Sequence, residues 1–563
     1  MRPEVRYQLW IAAAAGIVFF TQLGGASLWD MDEALYATCS REMLQRGDWV
    51  EPRFNGAMFP EKPPLMFWTM MAGFKLFGVN ELGARFFSAV FGMATALAAF
   101  HLGRVLCNAK VGLWTGLITA TTVLMAISAR AATVDAALTL VTTLAFWWFV
   151  LGRKRGGSSF PLRDAVPMYA CLGIAVLGKG PVGLVLPLAA MGLYLLVTDG
   201  WRNLLRSALW MRPLTAFLVV AAVALPWYVW VGVQTHGQWP RQFFLEFNLR
   251  PFQQPILGHG DVGGYLHQTL ALLVSFSYHF YHLPALLVGF FPWSILLGPT
   301  LIDTWQRVRQ KLRDSDGCVL ALCWFATWLV FWSVCKTKLP HYLLPAYPAL
   351  ALLTARLVER WQTEPASLGR SWLRNAWLSL ILVGVGIAIV VPIVARTYLP
   401  GDAILGILGL IPVVGGVWCW RQTSQGRPRS AAIGLTVTAV VLLTAMFGWG
   451  ATRVDRHQNG PAMIAAIQAH SGDVSRASIA TYRFFRESTV YYAGHPVVRC
   501  MNEPDRPAVD QLRQFLKTPG PAYVITTSRH AVDVQKQFPG RLEEIFRQRR
   551  FLGPDEMVVL ARR

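Results

Sequence analysis

The chain has 563 residues, of which 54% are hydrophobic and only 15% charged, with a mean hydropathy of +0.39. Soluble domains carry about a quarter charged residues, so this composition excludes a disordered chain, a coiled coil, a fibrous repeat and a disulfide scaffold, and points to an integral membrane protein. The net charge of +21 would suggest nucleic acid in a soluble protein. Here it is first a topology signal, because cytoplasmic loops collect Lys and Arg, and no nucleic-acid partner is needed.

In chain order, apolar stretches of about 20 residues predict about thirteen spans, at 8–26, 82–103, 111–128, 133–151, 165–178, 181–198, 213–233, 284–302, 317–335, 341–356, 374–395, 403–420 and 431–450. The first follows Arg2 and Arg6 and reads as an uncleaved helix, since its apolar run is long and many spans follow. Connections on the side of the N-terminus carry Arg104 and Lys110, Arg153 to Arg163, Arg202 to Arg212, Arg307 to Arg313, Arg356 to Arg374, and Arg421 to Arg429. The short loops of the other side hold Arg130, Lys179, Lys336, Lys338 and Arg396. This asymmetry predicts a cytoplasmic N-terminus and, with an odd number of spans, an external C-terminus.

Residues 1–450 thus read as a membrane domain with long external loops at 27–81 and 234–283. Residues 451–563 read as a small external α/β domain, with strands at 478–482, 489–493, 522–527 and 557–561 and helices at 461–470, 507–517 and 531–538. The eight cysteines form no C-x-x-C pair and read as small buried hydrophobes.

The candidate chemistry gathers on the external side. Asp30, Asp32 and Glu33 follow the first span, and 33–46 reads as an amphipathic helix with Leu35, Cys39, Met43 and Leu44 on one side and Arg41 and Arg46 towards the other. Carboxylates favour helix starts for electrostatic reasons alone; the functional reading is a general base at the membrane surface. Lys62, between Glu61 and Pro63-Pro64, is fixed by prolines, and a pre-placed cation suits a phosphate. Ionisable groups at span ends are costly and point to function: Arg130 and Asp135, Lys179 before Gly180-Pro181, and Lys338, His341 and Tyr342. Glu246, Asn248 and Arg250 lie in the second long loop. Together they suit an anionic, lipid-linked substrate.

Six stretches carry a family likeness: Asp32-Glu33, Arg41-Glu42-Met43, Gly47-Asp48-Trp49, Glu61-Lys62-Pro63, Lys179-Gly180-Pro181, and Lys338-Leu339-Pro340 with Tyr342. They resemble the GT-C membrane glycosyltransferases, above all the bacterial lipid A aminoarabinose transferases and the related protein O-mannosyltransferase-like family. The resemblance covers residues 1 to about 360. It implies a polytopic α-helical GT-C fold in the bacterial inner membrane. It implies a polyprenyl-phosphate donor of a single sugar, and an acceptor, lipid A or another envelope glycan or lipid, at the periplasmic face. By the same resemblance Asp32 is the base, Lys62, Arg250 and Lys338 hold the donor phosphate, and Glu33, Glu61, Asp135, Lys179, His341 and Tyr342 support the site. Phe247 stands where family members often carry His.

The chemistry is consistent with this on independent grounds. A phosphate leaving group needs no general acid, only charge stabilisation, and the acceptor hydroxyl needs one base. That describes an inverting single displacement; a retaining route would need a second carboxylate nucleophile, which Asp30, Asp32 and Glu33 leave open on spacing. No cofactor is expected. Glu61 and His341 could bind a divalent cation, but no spaced metal-ligand set supports one. The alternatives are a protein O-mannosyltransferase and, less favoured, a transporter or flippase of lipid-linked sugars, which would carry charges in the middle of several spans.

Overall fold

The computed structural model describes residues 2–249, 280–310, 315–504 and 506–563. Arg250 and most of the 234–283 loop therefore lie outside the described residues. The chain is mostly helical. Among the described residues eight helices are long and apolar enough to cross a membrane, namely Glu81–Leu106, Asp135–Arg155, Val182–Asp199, Pro213–Gln234, Ser315–Val334, Arg370–Tyr398, Ala403–Ser424 and Pro428–Asp455. Two bent pairs raise the number to ten: Ala109–Ala120 with Val123–Arg130, bent by 62°, and His282–Gly289 with Trp293–Arg309, bent by 112°. The other three predicted spans are helical as well, at Pro3–Phe20, Leu162–Lys179 and Pro340–Ala346 running into Tyr347–Thr363. They are shorter or carry more charge (Glu4 and Arg6; Arg163, Asp164 and Lys179; Arg356, Glu359 and Arg360), and length and composition alone do not count them as crossings.

Helices persist in so apolar a sequence because every backbone group is bonded within its own segment. Their hydroxyls follow the same rule. Thr115, Thr119, Thr139, Thr143, Thr300 and Thr304 each donate to the carbonyl four residues back, at 2.7–2.8 Å. The core is built where Pro3–Phe20, Glu81–Leu106, Ala109–Ala120 and Tyr347–Thr363 meet, around Phe19, Phe100, Phe146, Trp324 and Tyr347. Pro213–Gln234 and Arg370–Tyr398 are peripheral: only 17% of their apolar windows is buried, and they expose Phe217, Val233, Leu382 and Ile393 as a lipid-facing surface would.

The first long loop is folded. It contains the helix Asp32–Arg46, a two-stranded ribbon, β1 (Arg53–Phe54) with β2 (Ala57–Met58), and the helix Leu65–Phe77. Asp32–Arg46 is buried on nearly all sides, not amphipathic. Arg41, expected towards solvent, is 5% exposed, because its guanidinium donates to the carbonyls of Tyr491 at 2.5 Å and Val490 at 3.2 Å.

The C-terminal segment forms a five-stranded sheet of β3 (Ser478–Tyr482), β4 (Val498–Cys500), β5 (Ala522–Thr527), β6 (Leu542–Arg549) and β7 (Glu556–Arg562), in the order β4-β3-β5-β7-β6. The β3 strand pairs parallel with β4 and β5, while β7 pairs antiparallel with β5 and β6. The strand expected at 489–493 is instead the helix Glu487–Ala493. Of its β-favouring residues, Tyr491 and Tyr492 pack on the 27–81 segment while Val490 enters the core beside the sheet, and Arg41 donates to its terminal carbonyls. Strands β4 and β6 had no clear alternation to announce them: β4 is three residues long with two exposed, and β6 is a charged edge strand.

Candidate active site

Five elements converge on one cavity at the end of the helices that carries the 27–81 segment. Asp32 and Tyr36 come from Asp32–Arg46, Glu61 and Lys62 from the turn before Leu65–Phe77, and Asp135 from the start of Asp135–Arg155. Lys179 comes from the end of Leu162–Lys179, and His341 and Tyr342 from the turn Pro340–Ala346. Thr133, Phe243, Phe247, Trp332, Cys335 and Thr337 complete the wall.

Most of these side chains are fixed by local structure. Asp32 and Tyr36 are four residues apart on one helix, hence on one face, and the Tyr36 hydroxyl donates to Asp32 Oδ1 at 3.0 Å. Burial, then the charges of Asp32 and Glu61, raise the Tyr36 phenol well above its ordinary value, so it remains a donor. Lys179 ends its helix because Gly180 turns at φ +66, its amide bonded to Val176 O. The Lys179 ammonium lies 2.9 Å from Asp135 Oδ1 and 4.6 Å above the Tyr342 ring. His341 Nε2 lies 3.9 Å from Asp135 Oδ2, and Tyr342 packs on Trp332 with ring centroids 4.1 Å apart.

Seven of the ten residues expected at the site therefore line one cavity: Asp32, Glu61, Lys62, Asp135, Lys179, His341 and Tyr342. The other three do not. Arg250 is outside the described residues. Lys338 sits beside the wall, its ammonium donating to Ser333 O at 2.6 Å and Trp332 O at 3.3 Å, where it neutralises the carbonyl end of Ser315–Val334. Glu33 is behind the cavity. It binds Arg85 at 2.7 and 2.9 Å and accepts from the amides of Ala132 at 2.7 Å and Trp29 at 3.0 Å. Burial pushes its carboxyl up, but Arg85 and the two amides outweigh burial and hold it below the usual carboxylate range.

Sequence reasoning missed Tyr36, Thr133 and the aromatic wall. Tyr36 was detectable from its i+4 spacing to Asp32. Arg85 was missed as well, although a charge in the first turns of a span is the signal that drew attention to Asp135. Arg130 is no cavity residue: it donates to the carbonyls of Val18 and Phe19 at 3.1 and 2.9 Å, closing the end of Pro3–Phe20. Among the described residues there is no group of three or more His, Cys, Asp or Glu placed to hold a metal ion.

A carboxylate held by a tyrosine, two lysines and aromatic side chains thus open to one cavity, and the chain can be compared with known proteins. The family model of dolichyl-phosphate-mannose-protein mannosyltransferases matches residues 61–230. The undecaprenyl phosphate-alpha-4-amino-4-deoxy-L-arabinose arabinosyl transferase of Pseudomonas savastanoi pv. phaseolicola is 28% identical over 86% of this chain and 87% of its own length. That of Pseudomonas aeruginosa is 31% identical over 67% and 64%. An uncharacterised Aquifex aeolicus protein is 29% identical over 60% of this chain and 61% of its own length. The crystal structure of ArnT from Cupriavidus metallidurans bound to undecaprenyl phosphate superposes with a TM-score of 0.79 at 22% identity, covering 98% of this chain and 97% of that one.

Fold and sequence likeness together mark the chain as a membrane glycosyltransferase that resembles the GT-C type. Within that class it resembles the bacterial aminoarabinose transferases.

Proposed function

We propose that the protein transfers a single sugar, with inversion, from a polyprenyl-phosphate donor to lipid A or another envelope glycan or lipid at the periplasmic face of the bacterial inner membrane. The observation that carries this reading is the single cavity joining Asp32, held by Tyr36, to Lys62 and Lys179. Tyr36 occupies Asp32 Oδ1. Among the described residues no donor binds Oδ2, which is the atom that takes the proton of the acceptor hydroxyl. That oxygen then attacks the anomeric carbon as the bond to the phosphate oxygen breaks. The phosphate departs with the bonding pair, its charge held by Lys62 in a site of low dielectric. Arg250 completes the clamp by family resemblance, and Lys338 supports it from the helix end. Asp135, paired to Lys179 and near His341, keeps these cations oriented. Phe243, Phe247 and Trp332 offer apolar faces to the donor lipid and sugar.

The same reading takes the thirteen helical segments as crossings, with a cytoplasmic N-terminus and a periplasmic domain at 451–563. The arginine asymmetry supports this. So do direct contacts of Glu487–Ala493 with the 27–81 segment, since twelve further crossings return the chain to the side on which that segment lies.

The test is Asp32→Asn, which keeps the shape and removes the proton acceptor. The variant should insert normally and bind undecaprenyl phosphate like the parent, yet lose at least about a hundredfold in kcat. Turnover near the parental value would remove Asp32 from catalysis. The match to the mannosyltransferase family model favours one second reading, transfer to protein. Mass spectrometry of lipid A and of envelope proteins, with and without the gene, decides by which molecule gains the sugar.

A further inference from the structure

The helix that carries Asp32 begins oddly. Its cap position, Met31, has φ +69 and ψ −110 and no capping side-chain hydrogen bond. Residues with a Cβ rarely adopt such a backbone, and it persists only where the surroundings over-determine it. On the downstream side the restraint is the buried Glu33–Arg85 pair already described. On the upstream side it is Asp30, and Asp30 is held by the C-terminal domain.

Asp30 Oδ2 accepts from Arg486 Nη1 at 2.5 Å, and its Oδ1 accepts from the Ser488 amide at 3.1 Å. Both partners belong to the start of Glu487–Ala493, so Asp30 caps a helix of the distant domain and not its own. The carboxylate of Glu487 faces the Met31 amide. Around this point the two segments are pinned repeatedly. The Tyr492 hydroxyl donates to Glu81 at 2.9 Å and accepts from the Leu28 amide at 2.8 Å, while Asn55 and Val497 exchange two bonds at 2.8 and 2.9 Å.

We infer that Arg486, acting through Asp30, is a positioning residue for Asp32, so that the C-terminal domain completes the active site instead of merely resting on it. The inference rests on Asp32 being the base. With Asp30 anchored on one side and Glu33 on the other, Met31 cannot relax to negative φ, and the Asp32 carboxylate stays against Tyr36 and the cavity. Without Arg486, Asp30 keeps only its bond from the Ser488 amide, and the peptide between Asp30 and Asp32 gains freedom to rotate while Glu33–Arg85 still holds the helix. The effect should therefore fall on the orientation of Asp32 and not on the fold.

The experiment uses the full-length purified protein, with undecaprenyl phosphate as the binding probe and sugar transfer as the activity. Arg486→Ala should lower kcat by roughly tenfold to a hundredfold, as small misplacements of a reacting group do, with undecaprenyl phosphate affinity unchanged. Arg486→Lys should recover part of the loss. Adding Met31→Gly to Arg486→Ala should recover part as well, because glycine reaches positive φ without strain; a lost docking contact would not be repaired by that change. Should Arg486→Ala fail to fold, Asp30→Asn and Arg486→Gln are measured in the same way. Parental kcat in Arg486→Ala, or no recovery on adding Met31→Gly, overturns the inference. Asp32→Asn is run alongside. Full turnover there overturns the assignment of the base, whereas loss there with parental turnover in Arg486→Ala overturns the positioning role alone.

Discussion

Glu33–Arg85 and Asp135–Lys179 are built alike and serve differently. Each is a carboxylate in the first turn of a helix, paired at 2.7–2.9 Å with a cation from another helix, and each carboxylate is about 7% exposed. Glu33, however, is enclosed. Both its oxygens are taken by Arg85 and two amides, and Arg85 spends its remaining donors on the carbonyls of Leu23, Ala26 and Ser27. Asp135 and Lys179 face a cavity that they share with Asp32, Lys62 and His341. A pair with every valence filled locks the segment that bears Asp32. A pair with an open side is available to a substrate. Burial alone does not separate the two; the count of partners does.

The largest expected effect tests the enclosed pair. Glu33→Ala leaves the Arg85 charge buried without its counter-ion, and such a truncation typically costs about 3–5 kcal/mol. The variant should show a strongly lowered Tm and poor recovery in detergent. If instead it folds like the parent and loses only activity, the division between locking and working pairs is wrong. Next is Lys62→Ala. Loss of a charged contact in a desolvated site is worth on the order of 2–5 kcal/mol of affinity, so undecaprenyl phosphate binding should weaken markedly while Tm holds. Lys179→Ala should fall between the two, lowering kcat with a smaller loss of Tm than Glu33→Ala, since water in the cavity can solvate Asp135. Lys338→Ala should cost about 1 kcal/mol of stability through the lost helix-end contact, with less effect on undecaprenyl phosphate affinity than Lys62→Ala. An affinity loss equal to that of Lys62→Ala would make Lys338 a phosphate ligand after all.

The cations show how far the sequence could be read. Their sidedness was legible, because arginines mark one face and the exceptions stand out on the other. The seven cavity residues followed from that and from family likeness. What each exceptional cation binds was not legible. Arg41, Arg130 and Lys338 all end on backbone carbonyls, and a helix end awaiting a cation leaves no mark on the cation's own sequence neighbourhood. Helical segments were legible from apolar length, yet Pro3–Phe20 begins and ends earlier than 8–26, where Pro3 starts it and Arg130 closes it. The interface between 27–81 and 487–497 was illegible for another reason. It joins residues more than 400 positions apart through single bonds, such as Asp30 to Arg486, and no local pattern records them.

The smallest effect is expected at that interface, at Glu487. Burial, with the nearby charge of Asp30, raises its carboxyl above the usual value, and Arg499 and the Met31 amide only partly offset this. A carboxyl whose folded-state pKa is raised binds its proton more tightly when folded than when unfolded. Stability is therefore lost as pH rises from the unfolded value, about 4.3, through the folded one, and the penalty is complete above both. Glu487→Gln keeps an oxygen to accept from the Met31 amide and carries no charge at any pH. Its Tm should exceed that of the parent slightly at neutral pH, and the gap should close as pH falls towards the ordinary carboxylate range. The sign is opposite to that of Glu33, whose lowered pKa makes its contribution vanish only in acid. Thermal unfolding of both proteins across this range, followed by intrinsic tryptophan fluorescence, reads the difference directly. A Glu487→Gln Tm below that of the parent at neutral pH, with the difference vanishing on acidification, would mean that the Glu487 charge holds the C-terminal domain onto the 27–81 segment, and the burden of the contact would then shift from Asp30–Arg486 to Glu487 and Arg499.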